Sequence, residues 1–281
     1  MSAATLAALL VVCAALLSAA YNTIMKVGDD RLVVGAMAGA AAGICGLLAL
    51  PFVTPPPPAA WPCLALSILA QTAYYPLIVT AYREGDLSLV YPLMRGSSLA
   101  VINAFAILVA GEPLGPNKIA GLGVILFGMV LAVDPQAWTR PAARRPAMFA
   151  AATGLMAAAY VLADGTGARR SPDPFGYIAW MFALSAMPIA LIVLTLRRRA
   201  IGGAWRRNWR HGLSSGTVAT AAYAAVVFAL SFGSFASIAA LRELTTVFTA
   251  IIARFVLGES LTWRRVLAVG LIVLGALLIN A

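Results

Sequence analysis

Ten apolar runs divide this 281-residue chain, each close to the ~20 residues that a helix needs to cross a bilayer core. They fall at about 3–24, 32–53, 62–82, 87–109, 117–134, 147–165, 175–196, 212–231, 235–257 and 262–280. The breaks carry turn and helix-stop residues: Gly28-Asp29-Asp30, Pro55 to Pro58, Pro141 and Pro146 around Arg144-Arg145, and Ser171-Pro172-Asp173-Pro174. The loops leave no room for a soluble domain. Only 11% of the residues are charged and 62% are hydrophobic, against about 25% charged in a soluble domain. A soluble surface cannot hide that much apolar area, so the expected solvent is lipid and the expected fold an all-α polytopic membrane protein.

The runs are not independent. Tyr82–Leu131 is an apolar run with one arginine, a Gly-Glu turn and a glycine-rich apolar run, and the arrangement returns over Leu230–Leu278. An offset of 147 carries Arg95 to Arg242, Gly111 to Gly258, Glu112 to Glu259, Leu114 to Leu261, Gly123 to Gly270 and Gly128 to Gly275. An offset of 148 carries Thr72, Tyr75, Val79 and Gly85 of the third run to Thr220, Tyr223, Val227 and Gly233 of the eighth. An offset of 139 carries Leu16, Tyr21, Gly28 and Arg31 to Leu155, Tyr160, Gly167 and Arg170. The chain therefore reads as two five-run repeats, 1–138 and 139–281. Five is odd, so the second repeat enters the membrane from the opposite face. The expectation is ten transmembrane helices as two inverted five-helix repeats, a plan of secondary transporters in which substrate binds near the midplane and the halves rock about it.

Several chemistries are disfavoured. The net charge of +10 sits in short segments between apolar runs, the pattern of a topology signal and not of a nucleic-acid groove. Cys13, Cys45 and Cys63 have no paired spacing and His211 is the lone histidine, so no disulfide, metal or cofactor is expected. The first run lacks a basic leader and exceeds the usual signal-peptide core, so it reads as a membrane helix. No phosphate-binding Gly-x-x-x-x-Gly-Lys loop is present to drive transport with ATP. A membrane-embedded lipid-modifying enzyme would need an activated nucleophile, an acid–base pair or a metal cluster, and none is evident. A non-transporting scaffold leaves two mid-run arginines without a purpose.

Tyr91-Pro92-Leu93-Met94-Arg95, the apolar run after it, Gly111-Glu112-Pro113-Leu114 and the glycine-rich run beyond resemble the repeated domain of EamA-type transporters, of the drug/metabolite transporter superfamily. Gly258-Glu259-Ser260-Leu261 matches the same domain, so the resemblance covers nearly the whole chain. It implies ten helices and transport of small organic molecules, often efflux of amino acids or other metabolites. The second copy departs from the first where Ala239-Ala240 replace Pro92-Leu93, which puts a shared bend in the ninth run in doubt.

Arg95 and Arg242 each lie about eight residues into their runs, roughly 12 Å at 1.5 Å per residue, and the midplane is about 15 Å in. Entering from opposite faces, they should meet near the centre. A charge there is costly unless paired or hydrated. Two readings stay open: at least one arginine faces the cavity and meets a substrate carboxylate or other acceptor, or both hold an acid such as Glu243 or Asp164, or helix-end carbonyls, and only tie the halves together. Tyr91, Arg95 and Ser98 share one helical face, as do Arg242, Thr245 and Thr249. Gln71, Tyr74 and Tyr75 form a face of the third run, and Thr220 with Tyr223 one of the eighth. The candidate substrate-binding set is Arg95, Arg242, Tyr91, Ser98, Tyr74, Tyr75, Gln71, Tyr223, Tyr160, Trp180, Asn22 and Thr245. Interhelical hydrogen bonds and interfacial belts are the plainer readings of its hydroxyls and aromatics. Glu112 and Glu259 are expected to cap the helices that follow them, and Gly35, Gly39 and Gly43 to let helices approach closely.

The function expected is a secondary transporter, in the inner membrane, for a small polar or amphipathic metabolite, amino-acid-like and moved outward by alternating access. Its partners are that substrate and the bilayer, with a monomer or weak homodimer as the assembly. Fourteen of the 20 basic residues lie at the odd-numbered loops and three (Lys118, Arg169, Arg170) at the even-numbered ones. The positive-inside rule then places the odd loops in the cytoplasm and both termini outside, although relatives with ten helices usually keep both termini inside.

Overall fold

Lipid offers backbone N–H and C=O groups no water, so each apolar run must close its own hydrogen bonds as a helix. The computed structural model describes residues 2–27, 31–85, 87–113, 115–133, 143–196, 201–255 and 263–280, and all regular structure among them is helical. In chain order the helices are α1 (Ala3–Val27), α2 (Arg31–Ala49), α3 (Trp61–Glu84), α4 (Leu87–Leu108), α5 (Pro116–Ala132), α6 (Arg144–Arg170), α7 (Pro174–Leu196), α8 (Ile201–Leu230), α9 (Phe235–Arg242), α10 (Leu244–Phe255) and α11 (Trp263–Asn280). Among the described residues, six stretches are long and apolar enough to cross a membrane, those of α1, α3, α4, α6, α8 and α9 with α10. Shorter apolar helices lie at Met37–Phe52, Pro116–Leu131 and Val266–Asn280. Large apolar side chains such as Leu48, Leu69, Leu108 and Phe127 face outward, as a lipid-contacting belt requires. Gly258, Glu259 and Arg197 to Arg199 lie outside the described residues.

The connections gather at two ends. At one, Thr54 before α3 donates its N–H and hydroxyl to Asp173 before α7. There too, Glu112 after α4 accepts from Ser234 and Phe235 at the start of α9, and Arg169 donates to the Leu230 carbonyl. At the other end, Arg145 at the start of α6 pairs with Glu84 at the end of α3, 3.1 Å apart. Helices α3 to α8 thus run from end to end in alternation.

The packing maps onto itself when the two repeats are exchanged. α3 packs on α6 as α8 packs on α1, and α5 packs on α11, its own counterpart. Glycines mark the close approaches, because any side chain there would collide. A Cβ at Gly85 would stand 2.5 Å from Pro146, and one at Gly233, its repeat partner, 3.1 Å from Ala7, the repeat partner of Pro146. A Cβ at Gly121 would stand 2.6 Å from the Gly275 carbonyl, and one at Gly128 3.2 Å from the Ala268 carbonyl. Gly121 corresponds to Ala268 and Gly128 to Gly275, so these two contacts exchange as well. Their order also shows that α5 and α11 run antiparallel.

Two local features differ from expectation. α4 runs unbroken through Pro92, whereas its counterpart, which lacks that proline, is interrupted at Glu243 between α9 and α10. At the break, Arg95 Nη2 of the other repeat donates to the Arg242 carbonyl at 3.4 Å. Glu112 does not cap α5. Gly111, at φ 66°, ends α4 in the left-handed conformation that glycine adopts without strain. That turn sends the Glu112 carboxylate to α9, where it accepts from Ser234 Oγ at 2.6 Å, Phe235 N at 2.6 Å and Ala236 N at 3.3 Å. The first repeat thereby caps a helix of the second.

Candidate functional site

A cavity of about 330 Å³ lies between the two repeats, within the range of small-molecule sites. Residues from α1, α2, α3 and α4 line it, as do residues from α6 to α10. Nine of the twelve sequence candidates are brought together there: Gln71, Tyr74, Tyr75, Tyr91, Arg95, Tyr160, Tyr223, Arg242 and Thr245. Three are not. Ser98 is not among the lining residues, and its backbone N would stand 3.1 Å from a Cβ at Gly154 of α6. Trp180 packs edge-on against Trp61, with ring centroids 5.5 Å apart, in an apolar cluster that borders the cavity through Phe182 and Tyr223. The Asn22 side chain lies outside the described residues.

The polar wall is mostly tyrosine. Tyr74 meets Tyr160 at 5.9 Å between centroids and Tyr160 meets Tyr223 at 5.8 Å, both edge-to-face, the arrangement that ring quadrupoles favour. Tyr21 joins the lining, so the repeat-matched pairs Tyr21/Tyr160 and Tyr75/Tyr223 both face one space. Ser185 of α7 also lines it, and its buried hydroxyl has no hydrogen-bond partner among the described residues. Sequence reasoning passed over Ser185 because a single serine in an apolar run carries no pattern.

The two arginines differ. Arg95 is held in a two-pronged pair by Glu243, with Nε to Oε2 at 3.1 Å and Nη2 to Oε1 at 2.8 Å. This fork geometry is the strong form of the guanidinium–carboxylate contact, and it joins the repeats. The Arg242 guanidinium faces the same cavity, and no hydrogen bond or ion pair to it occurs among the described residues. The asymmetry comes from one position. Glu243 follows Arg242, whereas Gly96 follows Arg95, so the second repeat supplies an acid to the first and receives none in return. The first arginine thus follows the tying reading, and the second is left open to a ligand.

The cavity reaches Tyr91, one turn from the start of α4, and Tyr21, near the end of α1. It therefore extends toward the end where Glu84 meets Arg145. The opposite end is sealed by Phe105 on Phe235, with centroids 5.5 Å apart. Above that pair, Arg169 lies 4.0 Å over the Phe235 ring and bonds the Leu230 and Gly233 carbonyls.

The sequence model described as the EamA-like transporter family matches residues 5–133 and again residues 145–281. No curated protein matches the sequence. One solved crystal structure of a protein superposes with a TM-score of 0.74 at 19% identity, over 99% of this chain and 96% of its own. At that identity the likeness establishes the fold alone.

Proposed function

Because this chain belongs to the EamA-like transporter family, a family of multi-pass membrane proteins, we propose that it is a secondary transporter of ten spans in two inverted five-helix repeats. It exports a small amphipathic metabolite bearing a carboxylate, amino-acid-like in size, across the inner membrane by alternating access. The observation that carries this reading is Arg242, which lines a tyrosine-walled cavity between the repeats and has no hydrogen bond or ion pair among the described residues. A cation near the midplane that no protein group holds is costly, and a substrate carboxylate offers the fork-matched acceptor that Arg95 already has in Glu243. The antiparallel, self-exchanging contact of α5 with α11 supports the inverted repeat. The break between α9 and α10, at Arg242-Glu243, follows the discontinuous helices that form transporter sites.

The test is counterflow in proteoliposomes with three labelled probes of one shape: L-phenylalanine, 3-phenylpropionate and phenethylamine. The two carboxylates should exchange and the amine should not, and Arg242→Gln should abolish exchange in protein that melts normally. Equal exchange of phenethylamine, or unchanged kinetics in Arg242→Gln, would overturn the carboxylate reading.

A further inference from the structure

Asp164 has no part in the scheme above, yet it is fully buried, at 0% exposure, inside a membrane helix. It stands directly behind the cavity wall. Tyr223 Oη donates to its Oδ2 at 2.6 Å, and Tyr177 Oη donates to its Oδ1 at 3.2 Å. The Ser67 hydroxyl also faces it, and Ser67 Oγ in turn accepts from Gln71 Nε2 at 2.9 Å. Gln71 and Tyr223 both line the cavity, so Tyr223 joins the carboxylate to the substrate space by a hydrogen bond, while Ser67 and Gln71 stand between the two on a second side.

We infer that Asp164 is a proton-binding site, loaded together with the carboxylate that Arg242 takes, so that the protein co-transports a proton with its anionic group. The linkage to the carboxylate rests on the proposed function; the proton site does not. The argument is charge balance in a medium of low dielectric constant. Arg95 and Glu243 neutralise each other. That leaves Arg242 and Asp164, which lie close enough for their charges to interact. An anion arriving at Arg242 would leave Asp164 as uncompensated negative charge in the bilayer, and taking up one proton restores neutrality. The other groups around Asp164 offer no substitute. Tyr177 of α7 and Tyr223 of α8 are neutral donors, and Cys63 of α3 stands beside Tyr177. Arg95 of α4 is taken by Glu243, and Arg169, further along α6, is bound to the Leu230 and Gly233 carbonyls. A metal cation fits less well, since both carboxylate oxygens already accept from hydroxyl donors. The proton has a path in which atoms balance: Tyr223 Oη accepts a proton from hydronium in the cavity, which is left as water, while passing its own to Asp164 Oδ2. Protonated Asp164 then donates back to Tyr223, which turns the tyrosine hydroxyl proton toward the cavity.

Infrared difference spectra of the full chain in lipid, titrated from alkaline to acid pH, test this directly. A carbonyl stretch of a buried, protonated carboxylic acid should grow in as pH falls and be lost in Asp164→Asn. Tyr223→Phe should shift its frequency, since the acid loses a hydrogen-bond partner. Added 3-phenylpropionate should raise the apparent proton affinity about tenfold, within the usual 5–150-fold range of coupled sites, and Arg242→Gln should remove that rise. Absence of the band in wild type, its persistence in Asp164→Asn, or its indifference to Tyr223→Phe (the deciding variant if Asp164→Asn does not fold) would overturn the proton site. A probe that binds without moving the titration would overturn the linkage. A probe that produces no melting shift in wild type ends the carboxylate reading and the linkage with it, while the ligand-free titration still decides Asp164.

Discussion

Two arginines related by the repeat carry opposite loads, and substitution should separate them. Arg95→Ala leaves the Glu243 carboxylate, with 6% of its side chain exposed, as an unpaired buried charge. That costs roughly 3–5 kcal/mol, so the melting temperature in detergent should fall sharply. Arg242→Gln removes a guanidinium with no hydrogen bond or ion pair among the described residues, although its charge bears on Asp164 and Glu243, so its melting loss should be clearly the smaller of the two while probe binding is lost. Equal melting losses in the two variants would show that the arginines play the same part. The sequence singled out both arginines, because charge inside an apolar run is rare for a reason. It did not assign their partners, which depend on which side chain the turn after Arg242 aims across the repeat interface. Tyr74, Tyr75 and Tyr223 were legible on faces of single helices, and Tyr21 and Tyr160 as a repeat-matched pair. Ser98 and Trp180 are not among the cavity-lining residues: sequence gives a helix's face but not the neighbour against which that face packs.

At the scale of the helix, the glycines sort by what they touch. A Cβ at Gly121 meets the Gly275 carbonyl at 2.6 Å, whereas one at Gly123, two residues on, meets nothing within 4 Å. Gly121→Ala should therefore push α5 from α11 and lower the melting temperature. Gly123→Ala should raise it slightly, since alanine is worth up to about 1 kcal/mol over glycine in an exposed helix. The reverse ranking in a thermal scan would show that the α5–α11 contact is misplaced. Glu112→Ala removes three acceptor contacts at the head of α9 and should cost about 1–2 kcal/mol, as loss of a helix cap does. An unchanged melting temperature would reduce that cross-repeat cap to a bystander. Helix existence was legible from apolar run length alone. The break at Glu243 was not, because neither proline nor glycine stands there to announce it in the sequence; nor was the target of Glu112, because the turn at Gly111 redirects its side chain away from the helix that follows in sequence.

For the whole molecule, the repeat offsets read from the sequence are also the exchanges seen in the packing: Gly85 with Pro146 and Gly233 with Ala7 are one contact used twice. What the offsets could not supply is which way the assembly sits in the membrane, and there the end-to-end alternation sharpens the charge argument. Glu84 meets Arg145, so the connections after α3 and α5 share one end, and Arg83 and Arg144 lie at that end as well. α8 spans 30 residues, or about 45 Å at 1.5 Å per residue, against a hydrocarbon core of about 30 Å. Its first turns must therefore project beyond the core, and they carry Arg206, Arg207 and Arg210. Arg264, at the start of α11, follows the last odd-numbered connection, while the even-numbered end holds Lys118, Arg169 and Arg170. Of these, Arg169 is tied to backbone carbonyls and is spent on sealing the cavity. Lysine and arginine near span ends are retained on the cytoplasmic side, so the end toward which the cavity extends should face the cytoplasm, and both termini should lie outside. That orientation loads the cavity from the cytoplasm, as export requires. Alkaline phosphatase fused to the C-terminus should be active and green fluorescent protein fused there dark. The opposite pair of results would turn the molecule over, and the direction of loading with it.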